Sequence, residues 1–261
     1  MRYTQKQTEK VLELFQNGNF KTSKEIGAYI NVPDFFVRRT LNKNNFYFGH
    51  FTPFKSKDSI YINSIMNDII TGSLLGDGYL SEWDKSGSVT NKNSKLALKH
   101  SIKQKDYILY KQELINSCNI KTYYHEFDRY HKKWDQIHNC CSVDTIQNQS
   151  FNKYRDLWYE DKKIVPEEIE LTPLALAIWY MDDGSIAGKC SYYLHTQCFD
   201  ENSLMILRNK LKDLNIETSL HKKLKEKNQY MIYIKKKSLK TFNYLILPFV
   251  CSSMRYKIVS A

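Results

Sequence analysis

No part of this 261-residue chain stays apolar for long, and the longest strictly apolar run, Leu174 to Met181, has eight residues. A bilayer-spanning helix needs about 20, so no transmembrane helix is expected. The opening MRYTQKQTEK lacks the apolar centre of a secretory signal, and Glu9 and Glu13 argue against a transit peptide. Cysteine is scarce, and its six irregularly spaced residues are no disulfide framework in a chain of this size. Acidic residues are in deficit, with 28 Asp plus Glu against 39 Lys plus Arg, giving a formal net charge of +11. Such an excess is the footprint of a nucleic-acid or anionic-membrane partner and is silent about fold. What is present is 42% hydrophobic residues, including 32 Phe and Tyr, which excludes a basic disordered tail. The length suits one large domain or two ordinary ones. The expectation is a reduced, soluble, basic globular protein.

Residues 1–50 read as a small helical unit. Val11, Leu12, Leu14 and Phe15 form the face of a first helix that Asn17-Gly18-Asn19 stops. Thr22 or Ser23 caps a second helix, Lys24 to Ile30, with Ile26 and Tyr29 turned inward. Asp34 starts a third through Phe36, Val37, Arg38, Arg39 and Leu41. The string resembles a helix-turn-helix, with Gly27 or Ala28 allowing a close crossing and Arg38 and Arg39 on a groove-entering helix. A plain three-helix packing module has the same pattern. Residues 51–62, with Pro53 and charges, read as a linker.

From residue 63 the pattern occurs twice. One apolar helix ends in Leu-Leu-Gly-Asp77-Gly78 and another in Tyr-Met-Asp-Asp183-Gly184. A strand follows each (Leu96–Ser101; Tyr192–Phe199), then a helix (Gln104–Cys118; Glu201–Leu214). Strand pairs come next, Thr122–Asp128 with Gln136–Val143 and Thr218–Leu224 with Gln229–Ile234. Closing helices (Phe151–Tyr159; Leu239–Leu247) and basic segments complete both halves, 63–166 and 167–261.

An Asp at a helix C-terminus sits in the negative end of the helix dipole. One Asp-Gly stop is ordinary. Two at matching places in a duplicated chain suggest a compensating cation, and carboxylate and carbonyl oxygens are the hard ligands Mg²⁺ prefers. Gly72 and Gly76 on the first helix, and Ala175 and Ala177 on the second, allow a close approach that brings Asp77 and Asp183 side by side. Two ordinary core helices would share this pattern.

The segments Ile70-Thr71-Gly72-Ser73-Leu74-Leu75-Gly76-Asp77-Gly78 and Leu176-Ala177-Ile178-Trp179-Tyr180-Met181-Asp182-Asp183-Gly184 resemble the two signature motifs of single-chain LAGLIDADG homing endonucleases. The second departs by carrying Ile178 and Asp182 where the family has small residues. The resemblance implies a pseudo-symmetric α/β fold, with two central helices and two four-stranded antiparallel sheets forming a saddle over DNA, joined here to a small all-α N-terminal domain. It implies a monomeric, site-specific double-strand DNA endonuclease that leaves short 3′ overhangs on a long, pseudo-asymmetric target. It also implies Mg²⁺, replaceable by Mn²⁺, at Asp77 and Asp183, with Gly76 and Asp182 adjoining as ligands. Lys163 and Lys257, 86 residues after Asp77 and 74 after Asp183, stand where related monomers carry basic active-site residues. Such a protein would work in a bacterial or phage-host cytoplasm or an organellar matrix.

In an antiparallel sheet alternate residues share a face. With Leu96 and Leu98 inward, Lys95, Lys99 and Ser101 face the groove; with Leu194 and Cys198 inward, Tyr193, His195 and Gln197 do. Between His221 and Lys240 stand eight lysines and one glutamate, and Lys222, Lys223, Lys225, Lys235 and Lys237 suit phosphate contacts. His131, His138, Cys140 and Cys141 match no ordinary zinc spacing, and His100 and His125 read as bystanders. Competing readings are an RNA maturase or transcription regulator on the same scaffold, and a generic basic scaffold protein. The last leaves the duplicated Asp-Gly helix ends unexplained.

Overall fold

A computed structural model describes residues 4–17, 20, 22–43, 59–82, 93–131, 135–188, 190–222 and 229–259. The chain forms two compact units, Met1–Phe54 and Lys55–Ala261. Residues 51–58 of the expected linker lie outside the described residues.

In the first unit, α1 (Gln5–Gln16) and α2 (Ser23–Tyr29) both start at capping boxes, Thr4 with Gln7 and Thr22 with Glu25. The third helix, α3, spans Asp34–Lys43. Val11, Leu14, Ile26, Val32, Phe36, Val37 and Leu41 make the core. A side chain at position 27 would collide with the Val32 carbonyl, so Gly27 is what permits the α2–α3 turn. Tyr29 is not inward: its side chain is 66% exposed and stands against the Phe20 ring at 5.2 Å. The α2 core contact falls to Ile26 alone, because a helix this short turns only one narrow stripe inward.

The second unit repeats one arrangement. Its first half runs α4 (Ser64–Leu75), β1 (Tyr79–Leu80), β2 (Leu96–Ser101), α5 (Lys105–Ser117), β3 (Thr122–His131), β4 (Gln136–Thr145) and α6 (Asn152–Trp158). Its second half runs α7 (Pro173–Asp183), β5 (Gly184–Ala187), β6 (Ser191–His195), α8 (Glu201–Asp213), β7 (Thr218–Lys222), β8 (Tyr230–Ile234) and α9 (Leu239–Ile246). The sheets are four-stranded and antiparallel, ordered β1-β2-β4-β3 and β5-β6-β8-β7. Register is equivalent: Tyr79 pairs Ala97, which pairs Asp144, while Ser185 pairs Tyr193, which pairs Tyr233. The short strands β1 and β5 have no sequence signal of their own, being the continuation of each motif.

Asn63 and Thr172 cap α4 and α7 through their side-chain oxygens, and Pro173 suits the first turn of α7. Both helices are apolar almost all round and sit in one core together with Leu98 and Val143 of the first sheet and Leu194 and Ile232 of the second. The strand expected to reach Phe199 stops at His195, because the Phe199 N–H turns back to the Thr196 carbonyl (3.1 Å) and Asp200 caps α8. The alternation therefore fails at Cys198, which is exposed rather than inward.

Candidate active site at the paired helix ends

The two motif helices cross through complementary surfaces. A side chain at position 72 would meet the Ala175 carbonyl oxygen at 2.5 Å and Ile178 Cβ at 2.8 Å, and one at position 76 would overlap Asp182 Cβ. Gly72 of α4 and Gly76 at its C-terminal cap therefore receive the bulkier residues of α7. Ile178 and Asp182, the departures in the second motif, are the knobs that fill those holes.

The helix ends differ. At Gly76 the backbone leaves the helix, so Asp77 lies one residue beyond the cap, whereas α7 continues through Asp183 and is capped at Gly184. The Asp77 N–H consequently has no helical acceptor and donates to Asp182 Oδ2 at 3.2 Å.

Each expected lysine caps the motif helix of its own half. Lys163 Nζ donates to the carbonyls of Leu74 (2.9 Å), Gly76 (3.3 Å) and Gly78 (3.0 Å). Lys257 Nζ donates to those of Met181 (2.6 Å) and Asp182 (3.2 Å), and its own carbonyl accepts from Tyr180 Oη at 2.6 Å. An ammonium at a helix C-terminus offsets the dipole, so positive charge is built in beside each motif carboxylate. Burial pushes both lysines below their ordinary pKa, and the surrounding aspartates pull the other way.

Among the carboxylates, Asp182 is wholly buried. Its Oδ1 accepts from Tyr107 Oη (2.6 Å) and from Lys111 Nζ (2.8 Å), which is itself inaccessible. His100, with a side chain 1% exposed, stands between two of the acids, Nδ1 3.6 Å from Asp77 Oδ2 and Nε2 3.7 Å from Asp182 Oδ1. Burial, helped by the Lys111 charge, lowers its pKa to about 3, so the imidazole is neutral. Asp77 keeps 44% of its side chain exposed, yet desolvation by the surrounding walls and then the Asp182 charge raise its pKa. Burial first, then the charges of Asp77 and Asp182, pushes Asp183 up to about 7.

These raised carboxylates fit a divalent cation, whose charge would relieve the desolvation and repulsion that favour the protonated acids. Asp77, His100 and Asp182 offer ligand atoms within 4.8 Å of one another, the one such grouping among the described residues. Asp182 is nevertheless already satisfied by Lys111 and Tyr107, and the Gly76 carbonyl by Lys163. Of the four expected ligands, Asp77 and Asp183 are the ones whose side chains face solvent.

His100, Tyr107 and Lys111 were not among the expected site residues. The alternation that turns Leu96 and Leu98 inward turns His100 inward too, and Lys111 occupies the buried stripe of α5 with Tyr107, Ile108 and Ile115. A lysine in such a stripe is rare unless paired, and that was the available signal.

On the saddle face of the first sheet, Lys99 and Ser101 are exposed, Lys99 Nζ lying 5.0 Å from the centre of the Tyr79 ring. Lys95 is bound to Asp144 at 2.6 Å. On the second sheet, Tyr193 Oη is 3.0 Å from His221 Nδ1, His195 Nε2 is 2.8 Å from Ser185 Oγ, and Gln197, beyond the strand, reaches His195 Nδ1 at 3.3 Å. Lys222 is exposed at the end of β7. Lys235 and Lys237 both pair with Glu217, and Lys235 lines a groove with Arg208 and Lys212 of α8 rather than standing free on the sheet. Lys223 and Lys225 lie outside the described residues. In the first unit Arg38 and Arg39 are exposed on α3, Arg38 pairing with Asp34 at 2.6 Å.

Two pseudo-symmetric halves, joined by helices whose C-termini present one carboxylate each, define the duplicated, single-chain class of the fold expected from the motifs. The chain belongs to the LAGLIDADG DNA endonuclease family, whose model matches residues 67–242. It is 31% identical over 207 residues to DNA endonuclease I-ChuI of Chlamydomonas applanata, covering 73% of this chain and 93% of that protein. It is 32% identical over 215 residues to cytochrome b mRNA maturase bI2 of Saccharomyces cerevisiae, covering 76% of this chain but 48% of the maturase, about half its length. In structure it is similar to the homing endonuclease I-WcaI bound to its DNA recognition sequence, with 25% identity, a TM-score of 0.66, and coverage of 78% of this chain and 89% of that one. No helix among the described residues is long and apolar enough to cross a membrane.

Proposed function

We propose that this protein is a monomeric, site-specific DNA endonuclease of the homing type, cutting one phosphodiester in each strand and leaving short 3′ overhangs. The observation that carries this reading is the matched pair of helix ends, each with a solvent-facing carboxylate and a lysine bound to the carbonyls of its own motif. Asp77 and Asp183 would hold the divalent ions, Mg²⁺ with Mn²⁺ as substitute. A bound divalent ion supplies a water of lowered pKa and charge neutralisation at the phosphate. Lys163 and Lys257 keep the negative ends of α4 and α7 from repelling the DNA backbone and add positive charge where the reacting phosphate is most anionic. Lys99, Ser101, Tyr193, His195 and Gln197 would face base edges. Lys222, Lys223, Lys225, Lys235 and Lys237 would form a phosphate-contact group of unequal members, since Lys235 and Lys237 already hold Glu217; Lys95, read as facing the groove, is held by Asp144.

In this reading residues 1–50 are an added DNA-binding module with Arg38 and Arg39 on its groove-entering helix. Residues 51–62 are its linker, and 63–166 and 167–261 are the two halves. The work place is an organellar matrix or a bacterial or phage-host cytoplasm. The resemblance to maturase bI2 favours a second reading, an RNA maturase, alone or combined with cleavage.

Selection of cut plasmids from a library with randomised inserts supplies the substrate. Asp77→Asn and Asp183→Asn should each abolish or cripple cleavage of at least one strand while binding persists, because the amide keeps the shape and loses the charge. Full double-strand cleavage by either variant would overturn the assignment. A wild-type protein that cuts no plasmid but binds an intron RNA would favour the maturase.

A further inference from the structure

The two halves repeat in backbone but not in the layer beneath their carboxylates. The buried positions of α5 are Tyr107, Ile108, Lys111 and Ile115; those of α8, at the same spacing, are Ser203, Leu204, Leu207 and Leu211. Lys111 thus matches Leu207, and Tyr107 matches Ser203. Counting back from each motif carboxylate, Asp182 matches Gly76; counting along the paired strands, His100 matches Thr196. Four substitutions, scattered in sequence, converge on one side of one carboxylate.

A single cause links them. Because α4 leaves its helix at Gly76, the Asp77 amide needs an acceptor outside the helix, whereas Asp183 still lies within α7. Asp182 Oδ2 is that acceptor. A carboxylate buried this completely requires a counter-charge and a second donor, and Lys111 and Tyr107 contact Asp182 Oδ1. His100 closes the remaining side, its Nε2 buried without a hydrogen-bond partner and its other nitrogen toward Asp77.

We propose that Asp182, Lys111 and Tyr107, backed by His100, form a positioning unit for Asp77 that the second half lacks, so that the two motif carboxylates are held by different means. This rests on the endonuclease reading for its consequence: substitution of Lys111 slows one strand cut selectively, the same cut that Asp77→Asn impairs.

Two variants separate positioning from folding. Lys111→Met removes the counter-charge. Lys111→Leu combined with Asp182→Ala removes both charges, after the charge-free Leu207 and Gly76 of the other half, and so remains folded even if the single variant does not. On an end-labelled duplex from the selected plasmids, in single turnover, both variants should slow the Asp77-dependent cut about tenfold more than the other, the scale expected when a reacting group is misplaced by a fraction of an ångström. In the metal-free protein without DNA, amide hydrogen exchange at Asp77 should quicken about tenfold in the double variant while that at Asp183 does not change, a local opening rather than global loss. Equal slowing of both cuts, wild-type cutting by the double variant, or unchanged Asp77 exchange would overturn the proposal. If the wild-type protein cuts no duplex, the endonuclease reading fails, and the exchange comparison still decides whether Asp77 is positioned this way.

Discussion

Asp183 links the electrostatics of the site to a measurable pH dependence. Its pKa is raised from 3.8 to about 7, so between those values the unfolded chain has released this proton while the folded metal-free protein retains it. The folded state binds more protons in that window, and the contribution to stability falls as pH rises through it. A divalent ion competes with the same proton. The increase in Tm on adding Mg²⁺ should therefore be larger at pH 8 than at pH 5.5, and cleavage should demand more Mg²⁺ as pH falls below 7. A Tm increase that is independent of pH across this range would show that Asp183 is no ligand. Asp77 shifts in the same direction and reinforces the effect.

At the scale of the elements, the crossing of α4 and α7 decides whether the two carboxylates meet. Helix propensity favours Gly72→Ala by about 1 kcal/mol. The added methyl, however, would meet the Ala175 backbone carbonyl at 2.5 Å, which cannot move without the helix. Overpacking of this kind costs about 1–3 kcal/mol, so the variant should be net destabilised and melt several degrees lower. The displacement is directed at the crossing, so both strand cuts should slow together, unlike the selective effect expected at Lys111. A stabilised Gly72→Ala protein with unchanged cutting would mean the helices tolerate a wider separation than their packing implies.

For the molecule as a whole, the first unit has its own core and its exposed arginines on α3. If it binds DNA, deleting residues 1–50 should weaken binding and shorten the footprint at one end while leaving the cut positions unchanged. The slope of log affinity against log salt should also flatten, by about one unit for every phosphate that the shortened protein no longer neutralises. A module that only braces its neighbour predicts reduced stability with the footprint and salt slope intact, and footprinting both proteins on one long duplex distinguishes the two.

Much of this protein is written in local pattern. The duplicated Asp-Gly helix ends, the lysines at corresponding places in the two halves and the strand alternation are all short-range or repeated signals, and they carry the fold and the pair Asp77 and Asp183. Local pattern also places Gly72 and Gly76 on one helix face, and the structure finds Ala175, Ile178 and Asp182 against them. What it cannot carry is the partnership of residues far apart along the chain. Lys111 and Tyr107 meet Asp182 across 71 and 75 positions, and the motif lysines reach helix-end carbonyls that no spacing rule identifies. Tyr29 and Cys198 depart for local reasons instead: α2 is too short to turn more than one narrow stripe inward, and the turn from Thr196 to Phe199 ends the strand before Cys198. A buried charge is tolerated only where tertiary packing brings its partner, so the motifs show the difference between Gly76 and Asp182, while the fold decided that Lys111, Tyr107 and His100 would gather around it.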